Sequence, residues 1–220
     1  MKLVFVGPTL PDAVSLVSAE VHVRGPAKHR VILAAVNDGV TAIGLIDGNF
    51  EDVAPVWHKE ILFALSKGVR VYGSSSMGAL RAAECAAFGM IGIGKIYDRY
   101  ASGQLVDDAD VAQIHGPPEL SYVALSEPLV NVVTTLDHLL LQHELQDTIY
   151  ASLRASAEKL FFKDRTYRTI VANADLPEQV SRERLEGLLR ANAINQKRLD
   201  ALELLAAVAV AEDRRVQDVC

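Results

Sequence analysis

The amino-acid sequence predicts an α/β fold, in which a parallel sheet with flanking helices is followed by an α-helical C-terminal region. Two patterns lead to this prediction. Up to about residue 100, short apolar and β-branched runs alternate with segments of helical periodicity, and from about residue 131 onward the pattern is helical. Strands separated by helices of this length need right-handed crossover connections, which place the strands parallel to one another in one sheet.

The first part of the chain contains four predicted strands and three predicted helices. The strands are 3–6, 21–23, 42–46 and 69–72. The helices are 31–37, 53–67 and 76–88. Gly68 and Gly89 follow the last two helices directly, and glycine commonly ends a helix because it adopts the left-handed conformation without a steric penalty. A further strand is predicted at 122–125, after the turn at 116–118.

Two regions are expected along the chain, an α/β core over residues 1–140 and a helical C-terminal region over residues 141–220. The helical region ends in an amphipathic run at 196–213, whose apolar positions recur at helical spacing. We expect this apolar stripe to pack on the core or on a second chain, because an exposed stripe would promote association. The stripe includes Leu202, Leu205 and Val208.

The composition indicates a globular protein of the cytoplasm. Half of the 220 residues are apolar and 23% are charged, a balance that is typical of folded domains. No apolar run approaches the roughly 20 residues of a membrane-spanning helix, so no membrane partner is expected. The opening residues, 1–11, are interpreted as a strand and a turn rather than a signal peptide. The two cysteines, Cys85 and Cys220, lie far apart, which favours a reducing compartment over a disulfide framework.

The charge of the chain is distributed unevenly. The formal net charge is −6, and residues 151–220 contain 12 Lys and Arg against 11 Asp and Glu, so the first 150 residues carry about −7. Nucleic acid is bound by basic surfaces, so an acidic body of this kind is not expected to bind it. No spacing of Cys and His suits zinc. Asp107, Asp108 and Asp110 are interpreted as an acidic surface loop, with a metal site as the alternative, and no metal or other cofactor is expected.

Polar residues follow three of the predicted strands at the point where each strand ends. Thr9 lies in the turn after the first strand, Asp47 lies in the turn after the third, and residues 73–78 (GSSSMG) form the turn after the fourth. In an open parallel sheet all strand-to-helix turns lie at one edge, and ligands bind there. We therefore expect Thr9, Asp47 and residues 73–78, called the serine turn below, to be neighbours in space.

The serine turn is the most informative of the three. A serine between a strand and a helix, with glycine on both sides, resembles the sharp turn that exposes a nucleophilic hydroxyl group. Ser76 is the first candidate nucleophile and Ser75 is the second. Unpaired amides at the helix start can stabilise an oxyanion, and Gly78 lets the backbone approach a substrate closely. Two alternatives are a serine that only caps the helix and a phosphate-binding loop, although the glycine-lysine pattern of phosphate loops is missing.

A nucleophilic serine needs a general base, and two candidates lie early in the helix that follows the third strand. These are Lys59 and His58. That helix begins at the same sheet edge as the serine turn. A cation near a helix N-terminus opposes the helix dipole, which favours the neutral amine that a lysine needs in order to act as a base. Lys59 is therefore the preferred base, with a solvated surface lysine as the alternative.

Other charged residues are expected near the same edge. Asp47 could orient Lys59 or hold a polar group of a substrate, or its side chain could simply bond nearby amides in an Asp-Gly turn. Arg81 could pair with Glu60 on the neighbouring helix. Glu84, three residues further along the same helix, could serve Arg81 equally well.

Six short motifs follow one another over about 130 residues of the chain. They are VFVGPTLP at 4–11, IGLIDGNF at 43–50, VWHKEIL at 56–62, GSSSMGALRAAE at 73–84, FGM-x-G-x-G at 88–94 and SEPLVNV at 126–132. Together and in this order they resemble the TfuA family. Six ordered motifs are far more specific than any one of them, whereas the last 70 residues or so carry no such motif.

The resemblance implies a function as an accessory protein to a YcaO enzyme. YcaO enzymes use ATP to activate a peptide backbone amide, and together with a TfuA protein they replace its oxygen by sulfur. The part proposed for TfuA proteins is to bind the YcaO enzyme and to hydrolyse a thiocarboxylated, ThiS-like sulfur-carrier protein, which releases sulfide. A serine–lysine pair is associated with this hydrolysis, and it maps onto Ser76 or Ser75 and onto Lys59.

The remaining expectations concern substrate and partners. Asp47, His58, Thr9, Gly78 and Arg81 are the residues expected to bind the substrate. The expected partners are a YcaO enzyme, a ThiS-like carrier and, through YcaO, the peptide substrate, and the chain itself could form a homo-oligomer. Two other functions are compatible with the sequence. One is a non-catalytic protein that helps YcaO bind its peptide, and the other is a phosphate- or nucleotide-binding module.

Overall fold

The computed structural model describes residues 1–48 and 54–216, and the chain forms two compact units. The α/β unit comprises Met1–Asp108 and Lys197–Cys220, and the helical unit comprises Ala109–Gln196. This division differs from the predicted regions 1–140 and 141–220. The difference arises because the end of the chain returns to the α/β unit, where its last helix packs on the sheet.

Five parallel strands form the sheet of the α/β unit, in the order β2-β1-β3-β4-β5. The strands are β1 (Lys2–Phe5), β2 (Val21–Arg24), β3 (Ala42–Leu45), β4 (Arg70–Ser74) and β5 (Ile91–Ile93). The predicted α/β fold with a parallel sheet is confirmed, and each of the first four predicted strands overlaps its observed counterpart. β5 does not appear in the prediction because its apolar run is only three residues long and contains Gly92.

The strand predicted at 122–125 is wrong. In this part of the chain the only pairing described is an isolated bridge between His115 and Ala124. The apolar run there belongs to the helical unit, whose described residues form helices, turns and this one bridge, so no neighbouring strand extends the bridge into a ladder.

Helices connect the strands of the sheet. Within the first 108 residues they are α1 (Ala13–Leu16), α2 (Val31–Asn37), α3 (His58–Ser66), α4 (Met77–Cys85) and α5 (Lys95–Ala101). α2 agrees with its prediction, and α4 with the short 3-10 helix Ala86–Phe88 covers most of the predicted helix. α3 begins later than predicted, at His58. Residues 49–53, which include the predicted start, lie outside the described residues.

The helical unit has a core of its own. Its helices are α6 (Leu129–Leu141), α7 (Asp147–Lys159), α8 (Tyr167–Asn173) and α9 (Arg182–Ala191). Each helix contributes apolar side chains to one buried cluster, including Leu136, Leu153, Ile170 and Leu189. Across residues 1–48 and 54–216, no helix is both long enough and apolar enough to span a membrane.

The last helix, α10 (Gln196–Val210), covers one face of the parallel sheet. Its buried side chains pack with residues such as Val4 of β1 and Tyr72 of β4. Gly44 of β3 permits this contact, because a Cβ atom there would lie only 2.7 Å from Leu204 Cδ2. The α10 residues buried in this cluster are Ala201, Leu204, Leu205 and Val208. The predicted packing of Leu205 and Val208 on the core is thereby confirmed, and Leu202 is 36% exposed.

The other face of the sheet is covered by α2, α3 and α4. Alternation along β1 directs Leu3 and Phe5 to this side and Val4 to the side of α10. Leu3 and Phe5 share a buried cluster with Ile32 of α2 and Ile61 of α3. Because both faces are covered, the central strands are buried along their whole length, and their turns project only at the two edges of the sheet.

Candidate functional site

The order of the strands reverses at the carboxyl ends of β1 and β3, and this position is called the crevice below. From β1 the chain moves outward to β2 on one side, and β3 then pairs with β1 on the other side. Connections from the two central strands therefore leave in opposite directions, and ligands of open α/β sheets bind where this reversal occurs. Thr9 follows β1 and Asp47 follows β3, so both lie at this point.

Asp47 joins the turns that follow β1 and β3. Its Oδ2 accepts hydrogen bonds from the backbone N–H groups of Gly7 at 2.9 Å and Thr9 at 3.0 Å, and its Oδ1 accepts one from Thr9 Oγ1 at 2.6 Å. Both Asp47 and Thr9 are buried. The expected convergence of Thr9 and Asp47 is observed, and the carboxylate bonds amides of the turn that follows β1.

The backbone at Ser75 adopts an unusual conformation. β4 ends at Ser74, α4 begins at Met77, and Ser75 between them has a φ of 67°. A non-glycine residue in this left-handed region is strained by roughly 1–3 kcal/mol, and such residues concentrate at functional sites. All three serines of the turn are buried, and Ser75 lies in the short connection between a strand and a helix.

The hydroxyl groups of the serine turn do not act as helix caps. Ser76 is the N-cap residue of α4, but its side chain makes no capping hydrogen bond. Ser74 Oγ donates to the carbonyl oxygen of Asp200 at 3.0 Å and lies 3.2 Å from Ser75 Oγ. Since Ser74 has one hydroxyl hydrogen, Ser75 is the donor in the contact between the two serines. The turn therefore exhibits a strained serine with a directed hydroxyl group, which capping alone does not explain.

Glycines let the first turn of α4 pack directly on the sheet. A Cβ atom at Gly78 would lie 1.8 Å from the carbonyl oxygen of Leu45, and one at Gly73 would lie 2.2 Å from the carbonyl oxygen of Gly78. The Gly78 N–H donates to Ile46 O at 3.0 Å. Gly78 thus allows helix-to-strand contact rather than the expected approach to a substrate, and its amide is already engaged. The Met77 N–H has no hydrogen-bond partner among the described residues and can serve as an oxyanion donor.

Lys59 is placed differently from the expectation. It is the second residue of α3, which begins at the same sheet edge as the serine turn, but its side chain is exposed rather than buried. It lies at a cavity of about 440 Å³ beside α2 and α3, together with His29, Trp57 and Phe63. Within the described part of the chain its ammonium makes no hydrogen bond or ion pair, so nothing there holds it toward Ser76.

His58 and Arg81 take part in one charged cluster on the surface of α3 and α4. Glu84 accepts a hydrogen bond from Arg81 and contacts His58 Nε2 at 2.8 Å. Arg81 Nε also donates to Val56 O at 3.3 Å. Of the two predicted partners of Arg81, Glu84 is observed, whereas Glu60 accepts a hydrogen bond from the Arg30 N–H at 2.9 Å. The cluster joins α3 to α4.

Sequence reasoning missed Lys197, which lies in the first turn of α10. This residue is only 2% exposed. Burial lowers the pKa of its ammonium, and the nearby Asp47 carboxylate raises the same pKa in partial compensation. A signal was present, because Lys197 shares one helical face with Ala201, Leu204 and Val208, so a lysine stands at the start of an apolar stripe.

Asp200, one turn after Lys197, fixes α10 to the strand ends. Its Oδ2 accepts a hydrogen bond from the Ile96 N–H at 2.8 Å, and its carbonyl oxygen accepts the one from Ser74. As for metal ions, the described residues contain no group of three or more His, Cys, Asp or Glu side chains arranged to hold one. This includes the acidic segment Asp107–Asp110, part of which forms a short 3-10 helix.

One comparison with known proteins bears on identity. A family model described as TfuA-like protein matches residues 47–166, which is more than half of the chain. No curated protein matches the chain. The matched range contains Asp47, Lys59 and the serine turn, and it ends before Lys197. The chain therefore belongs to the TfuA-like protein family.

Proposed function

We propose that this protein supports a YcaO enzyme in backbone thioamidation by hydrolysing a thiocarboxylated, ThiS-like sulfur carrier, which releases sulfide for the reaction. Membership of the TfuA-like family implies a YcaO-associated accessory role in thioamidation. The hydrolytic step is supported by the site at the carboxyl edge of the sheet, where a buried strained serine lies in the connection between β4 and α4.

The observation that carries the proposal is the conformation of Ser75. Its φ of 67° holds the side chain at a sharp turn between β4 and α4, which is the arrangement of a nucleophilic serine in strand–turn–helix hydrolases. Ser76 does not share this left-handed conformation, since its φ is −119°. We therefore favour Ser75 over Ser76 as the nucleophile, although both remain candidates.

In the proposed reaction Ser75 Oγ attacks the carbonyl carbon of the thiocarboxylate. The Met77 N–H, at the positive end of α4, stabilises the oxyanion that forms. A lysine accepts the serine proton, and the two candidates are Lys59, at the start of α3, and Lys197, at the start of α10. Asp47 and Thr9 shape the crevice beside the turn, and water completes the hydrolysis of the acylated serine.

The test measures sulfide release from a thiocarboxylated carrier. We expect Ser75→Ala to lower the rate about 100-fold or more, since removal of a nucleophile abolishes the covalent route. Ser76→Ala is the matched control and should keep most of the rate. The reverse result would assign the nucleophile to Ser76. A wild-type protein that releases no sulfide would overturn the hydrolytic proposal.

A non-catalytic role is the second candidate, and an exposed aromatic surface favours it. Trp57 is 51% exposed and stacks on His29 with a centroid distance of 4.3 Å, beside the cavity that Lys59 lines. Such a surface is suited to a peptide or to YcaO itself. Added sulfide separates the two roles. If release is the function, sulfide restores thioamidation with the Ser75→Ala protein. If docking is the function, Trp57→Ala lowers thioamidation and sulfide does not restore it.

The third function considered, phosphate or nucleotide binding, gains no comparable support. A phosphate-binding loop offers several free amides at a helix N-terminus. In the serine turn the Gly78 N–H is bound by Ile46 O and the Ser76 N–H by Ser74 O at 2.8 Å.

A further inference from the structure

We propose that Lys197, in the first turn of α10, is the general base that accepts the proton of Ser75. This inference rests on the hydrolysis proposed above and assigns the lysine of the serine–lysine pair. It replaces Lys59 in that role. Lys197 lies outside the range that matches the family model, and it comes from the opposite end of the chain to the strands that form the crevice.

The placement of α10 brings Lys197 to the strand that leads into Ser75. Asp200 follows Lys197 by three residues, so both lie on neighbouring positions of one helical face. The Asp200 carbonyl oxygen accepts the Ser74 hydroxyl at 3.0 Å, and the Asp200 carboxylate accepts the Ile96 N–H at 2.8 Å. The N-terminal part of α10 is therefore attached, through Asp200, to the residue that precedes Ser75.

Asp47 is the charged group that acts on Lys197 from the sheet. Leu45 of β3 and Gly73 of β4 are opposite one another in register. Asp47 follows Leu45 by two residues, and Ser75 follows Gly73 by two residues. Lys197 is thus coupled to Asp47 at the end of one strand while its helix is bonded to Ser74 at the end of the next. Ser75 immediately follows Ser74 in the chain and lies 3.2 Å from it through their hydroxyl oxygens.

The surroundings of Lys197 favour its neutral amine. Burial lowers the pKa of the Lys197 ammonium, and the start of α10 adds the unfavourable dipole of a helix N-terminus. Asp47 opposes this effect by stabilising the cation, while the Asp200 carboxylate is bound by the Ile96 N–H. The net effect is a lowered pKa of Lys197, which increases the fraction of neutral amine that can accept a proton.

Burial alone does not distinguish Lys197, because Lys2 is also buried. The Lys2 ammonium donates a hydrogen bond to Ala209 O, near the C-terminal end of α10, which is the opposite end from Lys197. Lys2 therefore has a structural role far from the crevice. Lys59 lies at the correct edge but is exposed. Among these three lysines, Lys197 alone combines burial with the carboxyl edge of the sheet.

The proposed reaction balances with the thiocarboxylate and water as the only reactants. Ser75 Oγ forms a bond to the carbonyl carbon while its proton leaves the contact with Ser74 Oγ and moves to Lys197 Nζ. The C–S bond then breaks, and sulfur leaves as HS⁻ with the proton that Lys197 returns. Water attacks the resulting serine ester, passes a proton to Lys197, and the free carboxyl group leaves as Ser75 regains its proton. One water is consumed for each carboxyl group and each sulfide formed.

The experiment compares Lys197→Met with Lys59→Met in single-turnover sulfide release from a thiocarboxylated carrier, over about pH 6–10. We expect Lys197→Met to lose about 100-fold or more in rate, together with the basic limb of the pH–rate profile. Lys59→Met tests the alternative base, and loss of rate and limb there instead of in Lys197→Met would assign the proton to Lys59. Lys67→Met, at an exposed lysine at the C-terminal end of α3, is the control and should keep both. In the wild-type protein, NMR of the lysine side chains should give Lys197 a pKa that coincides with that limb and lies below the usual value of about 10.4.

The outcomes separate this inference from the proposed function. A wild-type protein without sulfide release overturns the hydrolysis and the base together. Release that persists at the parental rate in Lys197→Met overturns the base alone. If Lys197→Met does not fold, the wild-type titration decides, because an ordinary pKa for Lys197 with a rate limb elsewhere removes it from the mechanism. The agreement between the pKa of Lys197 and the pH–rate limb is measured in the wild-type protein, so it does not depend on whether the variant folds.

Discussion

At Ser75 the structure places a serine where glycine would fit more easily. The left-handed backbone pushes Cβ toward the adjacent carbonyl oxygen, which costs roughly 1–2 kcal/mol for any residue with a side chain. Ser75 is fully buried and keeps its side chain in spite of this strain. Such strain is typical of sites where one side chain must point in one direction.

This strain predicts an inverted order of stability for two substitutions. Both Ser75→Ala and Ser75→Gly remove the hydroxyl group, but only alanine keeps a Cβ in the left-handed region. We expect Ser75→Gly to be more stable than Ser75→Ala by about 1 kcal/mol. At Ser152, inside α7, glycine should instead be the less stable by about 0.5–1 kcal/mol, because glycine is unfavourable in a helix interior. Urea denaturation of the four proteins measures these differences, and an equal order at both positions would argue against strain at Ser75.

Lys197 also affects the free energy of unfolding, and the sign of its effect can be measured as a dependence on pH. Its folded pKa is lowered, while the unfolded chain titrates near 10.4. Between those two values the unfolded state binds more protons, so the free energy of unfolding rises with pH. Below the folded pKa the penalty for burying the cation is fully present.

We therefore expect the free energy of unfolding of the wild-type protein to increase as the pH rises from the lowered pKa of Lys197 toward about 10.4. Lys197→Met should remove this increase and should be more stable than the wild type at neutral pH. Lys59→Met is the matched control and should retain the increase. Urea denaturation at several pH values tests this, and identical pH dependence in the wild-type and Lys197→Met proteins would contradict it.

Among the elements, α4 is the one most closely fitted to the sheet. Its first turn contacts the ends of β3 and β4 through Gly78 and Gly73, and the Gly78 N–H bonds Ile46 O. This contact determines how closely Met77 and Ser75 lie to the ends of the strands. The elbow is therefore determined by packing between helix and sheet as much as by the turn itself.

Substitutions at two helical glycines test how closely α4 is fitted. A Cβ at Gly78 would lie 1.8 Å from Leu45 O, so we expect Gly78→Ala to destabilise the protein by about 1–3 kcal/mol and to displace the serine turn. Gly187 of α9 is exposed, and a Cβ added there would have no neighbouring atom within 4 Å. Gly187→Ala should stabilise its helix by about 0.5–1 kcal/mol. Thermal and urea unfolding compare the two, and a neutral Gly78→Ala would show that α4 can move away from β3.

For the whole molecule, the two ends of the chain form one unit. α10 comes after the helical unit in sequence, but it buries one face of the sheet through Ala201, Leu204 and Val208. The folding of the first 108 residues therefore depends on a helix that is last in the chain. The helical unit, in contrast, has its own buried cluster.

This architecture predicts different outcomes for two truncations. A chain that ends at Gln196 exposes one apolar face of the sheet, including Val4 and Tyr72, and should lose the α/β unit as a folded structure. Residues 109–196 alone should fold as a helical domain. Circular dichroism and amide NMR spectra distinguish these states. A well-dispersed spectrum of β-sheet amides in the chain that ends at Gln196 would contradict the prediction.

Much of the α/β unit can be predicted from the sequence because its signals are local. β-branched runs identify the first four strands, and Gly68 and Gly89 mark where helices end. Ser75, Ser76, Asp47 and Thr9 could be assigned to one edge because parallel strands place their turns together. The prediction was less accurate where neighbours decide the structure. The run at 122–125 has strand-like residues without a strand beside it, and β5 is too short to recognise alone.

The sequence by itself determined the family motifs, the parallel sheet and the serine turn, because each depends on residues close together in the chain. Only the tertiary structure decided the strand order, which places the crevice between β1 and β3, and the return of α10 to the sheet. It also decided that Lys59 is exposed and that Lys197 is buried near Asp47. Burial and charge contacts between residues about 150 positions apart arise from packing, and periodicity along a single helix does not encode which surface that helix will cover.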